Sequence, residues 1–501
     1  MSGTTGLAAG PGTGPGVGPV SQRVRPATRV AGLAADVSGG TVRALGIHYG
    51  ARLDAADRFS PLGGPSPELV QSEPAAFPQA PGSLDWLLGP ALMELPQHED
   101  AFQLNVWAPL DARDAPVLVY LPGGAFISGA GTVRWYDGER LAREGGAVVV
   151  TINYRLGALG LIGDGQRPSN LAVGDILQAL RWVQGNISRF GGDPAQVTLA
   201  GQSAGAFYAY LLSQLPQAKG LFRRTALLSL AWQPPLTPAE YAERYRLLVE
   251  ALGEDAPGLA EVPAGALLRA QGAVSKAYAG RGLGLMPAAD STVPADLFDF
   301  AAAAGRLHVS ELLLSTTQDE AAAFLKAVPV AAVTPGQLAG FVAGHFEDAP
   351  ATLAWLEEKL PGATCHAKLV EAMSLHQLRL AAFELAGHAR AAGVDASVAR
   401  FAVASPLEGA GSAHCFEVPF LFGNREQWAD APMLLGVPEA VFEEAGAALR
   451  GLLLGFVADG RARTDDGGVL PSFDPALPQA YRIGADGAGF IPAEPDLAPR
   501  R

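Results

Sequence analysis

The stretch "VTLAGQSAGAFYAYLLSQL", Val197 to Leu215, changes its character at one serine. Val197 to Ala200 is a short, β-rich apolar run of the kind that forms a strand buried on both faces. From Ala204 onward the residues read as an apolar helix. Between the two lies Gly201-Gln202-Ser203-Ala204-Gly205, a G-x-S-x-G motif. In a chain with 61 glycines the bare pattern says little, but its place at a strand-to-helix junction says more. So tight a turn leaves no room for side chains at Gly201 and Gly205. Ser203 is then held in a strained conformation with its oxygen exposed, at the start of a helix whose dipole favours negative charge. A serine that must attack something needs this construction; a packed one does not.

The flanking sequence alternates in the same way. "APVLVYL" ending at Leu121, "GAVVVTINY" ending at Tyr154, "QVTLAG" ending at Gly201, the run from Val309 in "HVSELLLSTT" and "RFAVA" from Arg400 are strand candidates. Ile176, Leu177, Leu180, Val183 and Ile187 fall at helical spacing. Apolar strands interleaved with amphipathic helices predict an α/β fold with a mainly parallel sheet covered on both faces. The alanine-rich stretch from Ala321 to about Ala392 predicts a helical insertion or cap.

Composition narrows the classes. The chain has 501 residues, 49% of them hydrophobic, enough for an extensive core. A net charge of −14 disfavours nucleic acid and anionic membrane as partners. No apolar run reaches the 18 or so residues that would span a bilayer. The first 24 residues carry glycine and proline where a signal peptide would have an apolar core, so residues 1–26 are expected to form a flexible tail, 27–501 a single domain, and the protein to be cytoplasmic. Cys365 and Cys415 form neither a disulfide framework nor a Cys-x-x-Cys pair and read as buried free thiols.

A serine hydroxyl attacks only when a base takes its proton and an acid orients that base. Where the nucleophile stands on a strand-to-helix elbow, both partners follow it, acid before histidine. Six histidines follow Ser203: His308, His345, His366, His376, His388 and His414. His376 and His388 lie in helical pattern, whereas His414 sits between the flexible "PLEGAGSA" and the apolar "VPFLFG". Asp319 and Glu320 both stand just past the run from Val309, at the strand end where catalytic groups of parallel sheets gather. "YLPGGAFISGAG" offers backbone N–H groups for an oxyanion. It lacks the Gly-Lys-Ser/Thr ending of a P-loop and the spacing of a dinucleotide fingerprint, so no nucleotide cofactor is expected.

Eight segments, in order from about Val30 to the C-terminus, resemble the type-B carboxylesterases, the group of cholinesterases and bacterial para-nitrobenzyl esterases. They are "ALGIHYGARL", "EDAFQLNVWAP", "YLPGGAF", "VVVTINYRLGALG", "NLAVGDILQALRWVQGNISRFGGDPAQVTLAGQSAG", "STTQDEAAAF", "AHCFEVPFLFG" and "PSFDP". The resemblance implies an α/β-hydrolase fold with a helical cap, a small-molecule ester as substrate and no cofactor. It places the nucleophile on Ser203, the acid on Glu320 and the base on His414. The oxyanion donors fall on Gly124, Ala125 and Ala204, with Gly123 forming the turn and Phe126 beside the pocket.

Four positions depart from the pattern. Pro122 replaces His or Tyr ahead of the glycines and has no N–H, so the loop must be held differently. Gln202 replaces the glutamate before the nucleophile, which removes a negative charge near His414. Leu230-Ala231-Trp232 stands where Gly-Ser is usual, predicting an apolar surround and a Trp232 that narrows the acyl side. Ala101 replaces a cysteine of secreted relatives. The departures leave two alternatives: a catalytically weak or non-catalytic binding protein of the same fold, and an amide or carbamate hydrolase.

Overall fold

The computed structural model describes residues 28–30, 32–51, 53, 57–64, 69–163, 169–253, 258–492, 494 and 497–500. The expected tail, 1–26, lies outside them. The strands are β1 (Thr28–Val30), β2 (Leu33–Ser38), β3 (Thr41–His48), β4 (Gln103–Pro109), β5 (Ala115–Leu121), β6 (Val148–Ile152), β7 (Gly192–Gln202), β8 (Arg224–Leu228), β9 (Glu311–Thr317), β10 (Asp395–Phe401), β11 (Gln479–Gly484) and β12 (Gly487–Pro492). They form one 12-stranded sheet in the order β1-β2-β3-β4-β6-β5-β7-β8-β9-β10-β11-β12. From β6 to β11 neighbouring strands run parallel; β1 to β4 and β12 add antiparallel edges.

The parallel body follows from its strands. In β5 and β6 almost every residue is buried, because helices cover both faces. Successive side chains point to opposite faces. Val117 and Val119 therefore join one core with Ile176, Leu180 and Val183 of helix α1 (Leu171–Asn186). Leu118 and Tyr120 join another, with Leu449, Leu453 and Phe456. Helix α2 (Ala204–Leu212) leads from β7 toward β8.

Between β9 and β10 the chain makes the alanine-rich insertion, which is helical as its composition predicts. Its main helices are α3 (Pro335–His345), α4 (Ala349–Lys359), α5 (Cys365–Ser374) and α6 (Leu380–Ala391), with a π-helical turn at Leu375–Arg379. Two expectations are corrected. β10 ends at Phe401, so only the first two residues of "RFAVA" are strand. Cys365 is half-buried at the start of α5; Cys415 alone is buried. Among the described residues no helix is long and apolar enough to cross a membrane.

Candidate active site

The site gathers at the carboxyl ends of β7 and β9 and in the loop that follows β10. β7 ends at Gln202, α2 begins at Ala204, and Ser203 between them has φ 57° and ψ −121°. For a residue with a side chain this conformation costs roughly 1–3 kcal/mol, and the surroundings enforce it. A Cβ on Gly205 would run into the Leu121 carbonyl, and one on Gly201 into the backbone of Gly205. The Ser203 N–H donates to the Leu228 carbonyl at 2.9 Å, and its own carbonyl accepts from Phe207 at 2.9 Å.

Glu320 is fully buried just after β9. One of its oxygens accepts from the Thr317 N–H at 2.7 Å, and the other lies 2.6 Å from His414 Nδ1. Asp319, left open beside it by the sequence, does something else. Its carboxylate accepts from the Ser412 N–H at 2.9 Å, and its own N–H donates to the Ser412 carbonyl at 2.9 Å. Asp319 thus clamps the histidine loop to the acid turn, while Glu320 faces the ring. Gly411 has φ 55° and lies so close to Asp319 that a Cβ would sit 2.6 Å from its carboxylate.

His414 is buried, and its pKa is raised well above the ordinary 6.5. Burial opposes the charge, but Cys415 and then Glu320 more than offset it. In the neutral ring, with Nδ1–H directed at Glu320, Nε2 carries the lone pair. That nitrogen lies 3.3 Å from the Gln202 amide nitrogen, which donates to it. Among the described residues no hydrogen bond joins the Ser203 hydroxyl to His414.

The loop from Pro122 to Phe126 crosses the elbow. Gly123 approaches so closely that a Cβ there would lie 2.6 Å from Gln202 Oε1 and 3.1 Å from Ser203 Cβ. Gly124, Ala125 and Phe126 have φ of 130°, 51° and 66°. Among the described residues nothing accepts from the N–H groups of Gly124, Ala125 or Ala204. Pro122 donates nothing, but its carbonyl accepts from the Tyr154 hydroxyl at 2.5 Å. Gln79 adds two bonds to Gly129 at 2.7 and 3.2 Å. Phe126 is core: its ring packs edge-on against Phe207 and Tyr208. Trp232 is half-buried, with its backbone N–H on the Gln377 carbonyl at 2.7 Å and its ring edge-on to His376.

The expected apolar surround is corrected by Ser229. It has φ 51° and is buried, with its hydroxyl 3.5 Å from a carboxylate oxygen of Glu417. Burial pushes Glu417 up to about 7, and Glu320 adds to the rise, while His414 and Ser229 oppose it. The sequence holds no signal for Ser229 and shows Cys415 only as a buried thiol; Glu417 is visible as a charge inside an apolar run, three residues after the histidine. Among the described residues no group of three or more His, Cys, Asp and Glu side chains is placed to hold a metal ion.

Residues 41–341 match the model of the carboxylesterase family. Among curated proteins, the chain is 33% identical over 435 residues to a probable N-octanoylanthranilate hydrolase of Rhodococcus erythropolis, covering 83% of this chain and 89% of that one. It is 31% identical over 405 residues to a phenmedipham hydrolase of Pseudarthrobacter oxydans, covering 78% and 80%. Among solved structures, a Geobacillus stearothermophilus carboxylesterase superposes with a TM-score of 0.77 at 26% identity, covering 92% of this chain and 96% of that one.

Proposed function

The chain belongs to the carboxylesterase family of hydrolases, and on that premise we propose that it cleaves carboxylic esters through an acyl-enzyme formed on Ser203. The observation that carries the reading is the 2.6 Å pair of His414 Nδ1 and Glu320 beside a serine held at φ 57°. His414 Nε2 takes the hydroxyl proton as Ser203 Oγ bonds to the substrate carbonyl carbon. The oxyanion is received by the N–H groups of Gly124, Ala125 and Ala204. His414 then passes its proton to the leaving alcohol as the carbon–oxygen bond breaks. Water repeats the sequence in reverse roles, releasing the acid and restoring Ser203. Glu320 stays ionised and holds the imidazolium that forms at each stage.

A second reading is favoured by two relatives that cover more than three quarters of the chain, one named for N-octanoylanthranilate and one for phenmedipham. On that reading the same machinery cleaves an amide or carbamate, and His414 protonates a leaving nitrogen. Assaying p-nitrophenyl esters of increasing chain length beside the matching N-acyl anilides tests both. Ester turnover that vanishes in Ser203→Ala supports the proposal. Turnover of anilides at comparable kcat/KM favours the second reading, and ester hydrolysis surviving in Ser203→Ala contradicts both.

A further inference from the structure

We propose that Tyr154 is a positioning residue for the oxyanion donors: its hydroxyl holds the Pro122 carbonyl, and through it the Gly124 N–H stays aimed at the developing charge. The inference rests on the reading of Gly124 and Ala125 as donors. β5 and β6 run side by side, with Tyr120 opposite Thr151, so residues just past β6 stand beside the loop that follows β5. Tyr154 is buried there, and its hydroxyl donates to the Pro122 carbonyl at 2.5 Å. Among the described residues no other donor reaches that carbonyl. Burial raises the hydroxyl above its ordinary 10, so it keeps its proton and remains a donor.

The loop needs a restraint from outside. Gly123 and Gly124 carry no side chain to limit their dihedral angles, and Pro122 has no N–H by which to be tied. Ala125 and Phe126, at φ 51° and 66°, occupy a region that is costly for residues with side chains. Three carbonyls along the loop are held. Pro122 accepts from Tyr154, Gly124 from the N–H groups of Ile127 and Ser128 at 3.1 and 3.0 Å, and Phe126 from the Gly157 N–H at 2.7 Å. The Gly123–Gly124 peptide, which carries the Gly124 N–H, lies between the first two. Without the Tyr154 bond it would be held on one side only, and the donor would lose its aim.

Tyr154 is itself built to stay in place. The Asn153 side chain before it donates to the Ala75 and Ala101 carbonyls at 2.8 and 3.0 Å. The Arg155 N–H after it donates to Asp175 of α1 at 3.0 Å, and the two side chains form a buried ion pair at 2.6 Å. The Tyr154 ring packs edge-on against Tyr208 of α2, which meets Phe126 in the same way. A hydroxyl so placed suits donors that must not reorganise as charge appears.

Tyr154→Phe removes the hydroxyl and keeps the ring. With a p-nitrophenyl ester, kcat should fall about ten- to a hundredfold, less than the roughly hundred- to thousandfold cost of losing a donor outright. KM should stay within about twofold, because the bond acts on a charge present only in the transition states. A trifluoromethyl ketone forms an adduct on the serine that places an oxyanion at the same N–H groups. Its affinity should fall by the factor lost in kcat/KM, a match that a merely structural role would not produce. The acidic limb of the pH profile should not move, since His414 is untouched. An unchanged kcat would overturn the proposal, as would a lower kcat with undiminished affinity for the ketone, or a moved limb. The wild-type protein separates this result from the parent reading. A ketone that fails to inhibit it overturns both, whereas equal inhibition of wild type and Tyr154→Phe overturns only the role of Tyr154.

Discussion

Asp319 and Glu320 are adjacent carboxylates with different work, and substitution separates them. Glu320→Gln keeps the shape but no longer favours the imidazolium, so activity should fall by roughly a thousandfold. Asp319→Asn retains an acceptor for Ser412 and should keep most of the activity; the reverse pattern would reassign the acid. The raised pKa of His414 sets a pH window. The neutral ring is the active form, so kcat/KM should be lost as pH falls through a value above the ordinary 6.5. Gln202→Glu should move that limb further up, because an added anion favours the charged ring. A pH–rate profile showing an unshifted limb with reduced activity would mean instead that the surroundings of Gln202 cannot accept a carboxylate. The elbow serine and the flexible histidine loop were legible because each breaks a periodic pattern. Ser229 was not, because its role depends on a contact with Glu417, 188 positions away. The division between Asp319 and Glu320 was equally hidden: adjacent side chains point apart, and only the geometry of the turn says which meets the ring.

At the scale of elements, strands buried on both faces were the clearest signal. The misplacement of β10 has a physical cause. Buried Ala396 and Val398 alternate with half-buried Asp395 and Ser397, and Arg400 is a buried charge, so the strand itself is less apolar than the "FAVA" that ends and follows it. That segment is rich in core residues because Val403, past the strand end, is buried too. The elbow depends on absent side chains. Gly205→Ala should separate α2 from the loop after β5, lowering stability by about 1–3 kcal/mol or more, since the obstacle is the Leu121 carbonyl and not a movable side chain. Chemical denaturation of the purified variant measures it, and a wild-type midpoint would show that the turn can relax.

Across the whole molecule, a buried charge cluster ties the helical insertion to the sheet. Arg379 of the π-helical turn pairs with Glu371 of α5 and lies 3.3 Å from Glu494, which meets Arg400 of β10 at 2.6 Å and Lys359 of α4 at 3.6 Å. These partners come from distant parts of the chain, so nothing local in the sequence announces them. Arg379→Met would leave two buried carboxylates short of a cation, a loss of about 3–5 kcal/mol that a thermal melt would register. A melting temperature equal to wild type would assign the cluster no such role. Glu494 is held below its ordinary pKa, since Arg379, Arg400 and Lys359 outweigh its burial. Its contribution is present above the unfolded carboxylate pKa and is lost as pH falls through the lower folded value. The whole arrangement serves one claim, that Ser203 carries the acyl group. The most direct measurement is peptide mapping by mass spectrometry after rapid acid quench of a reaction with p-nitrophenyl acetate. The account predicts an acetyl group on the peptide containing Ser203, absent in Ser203→Ala and formed far more slowly in His414→Ala. An acetyl group on another residue during turnover, or undiminished turnover by Ser203→Ala, would contradict it.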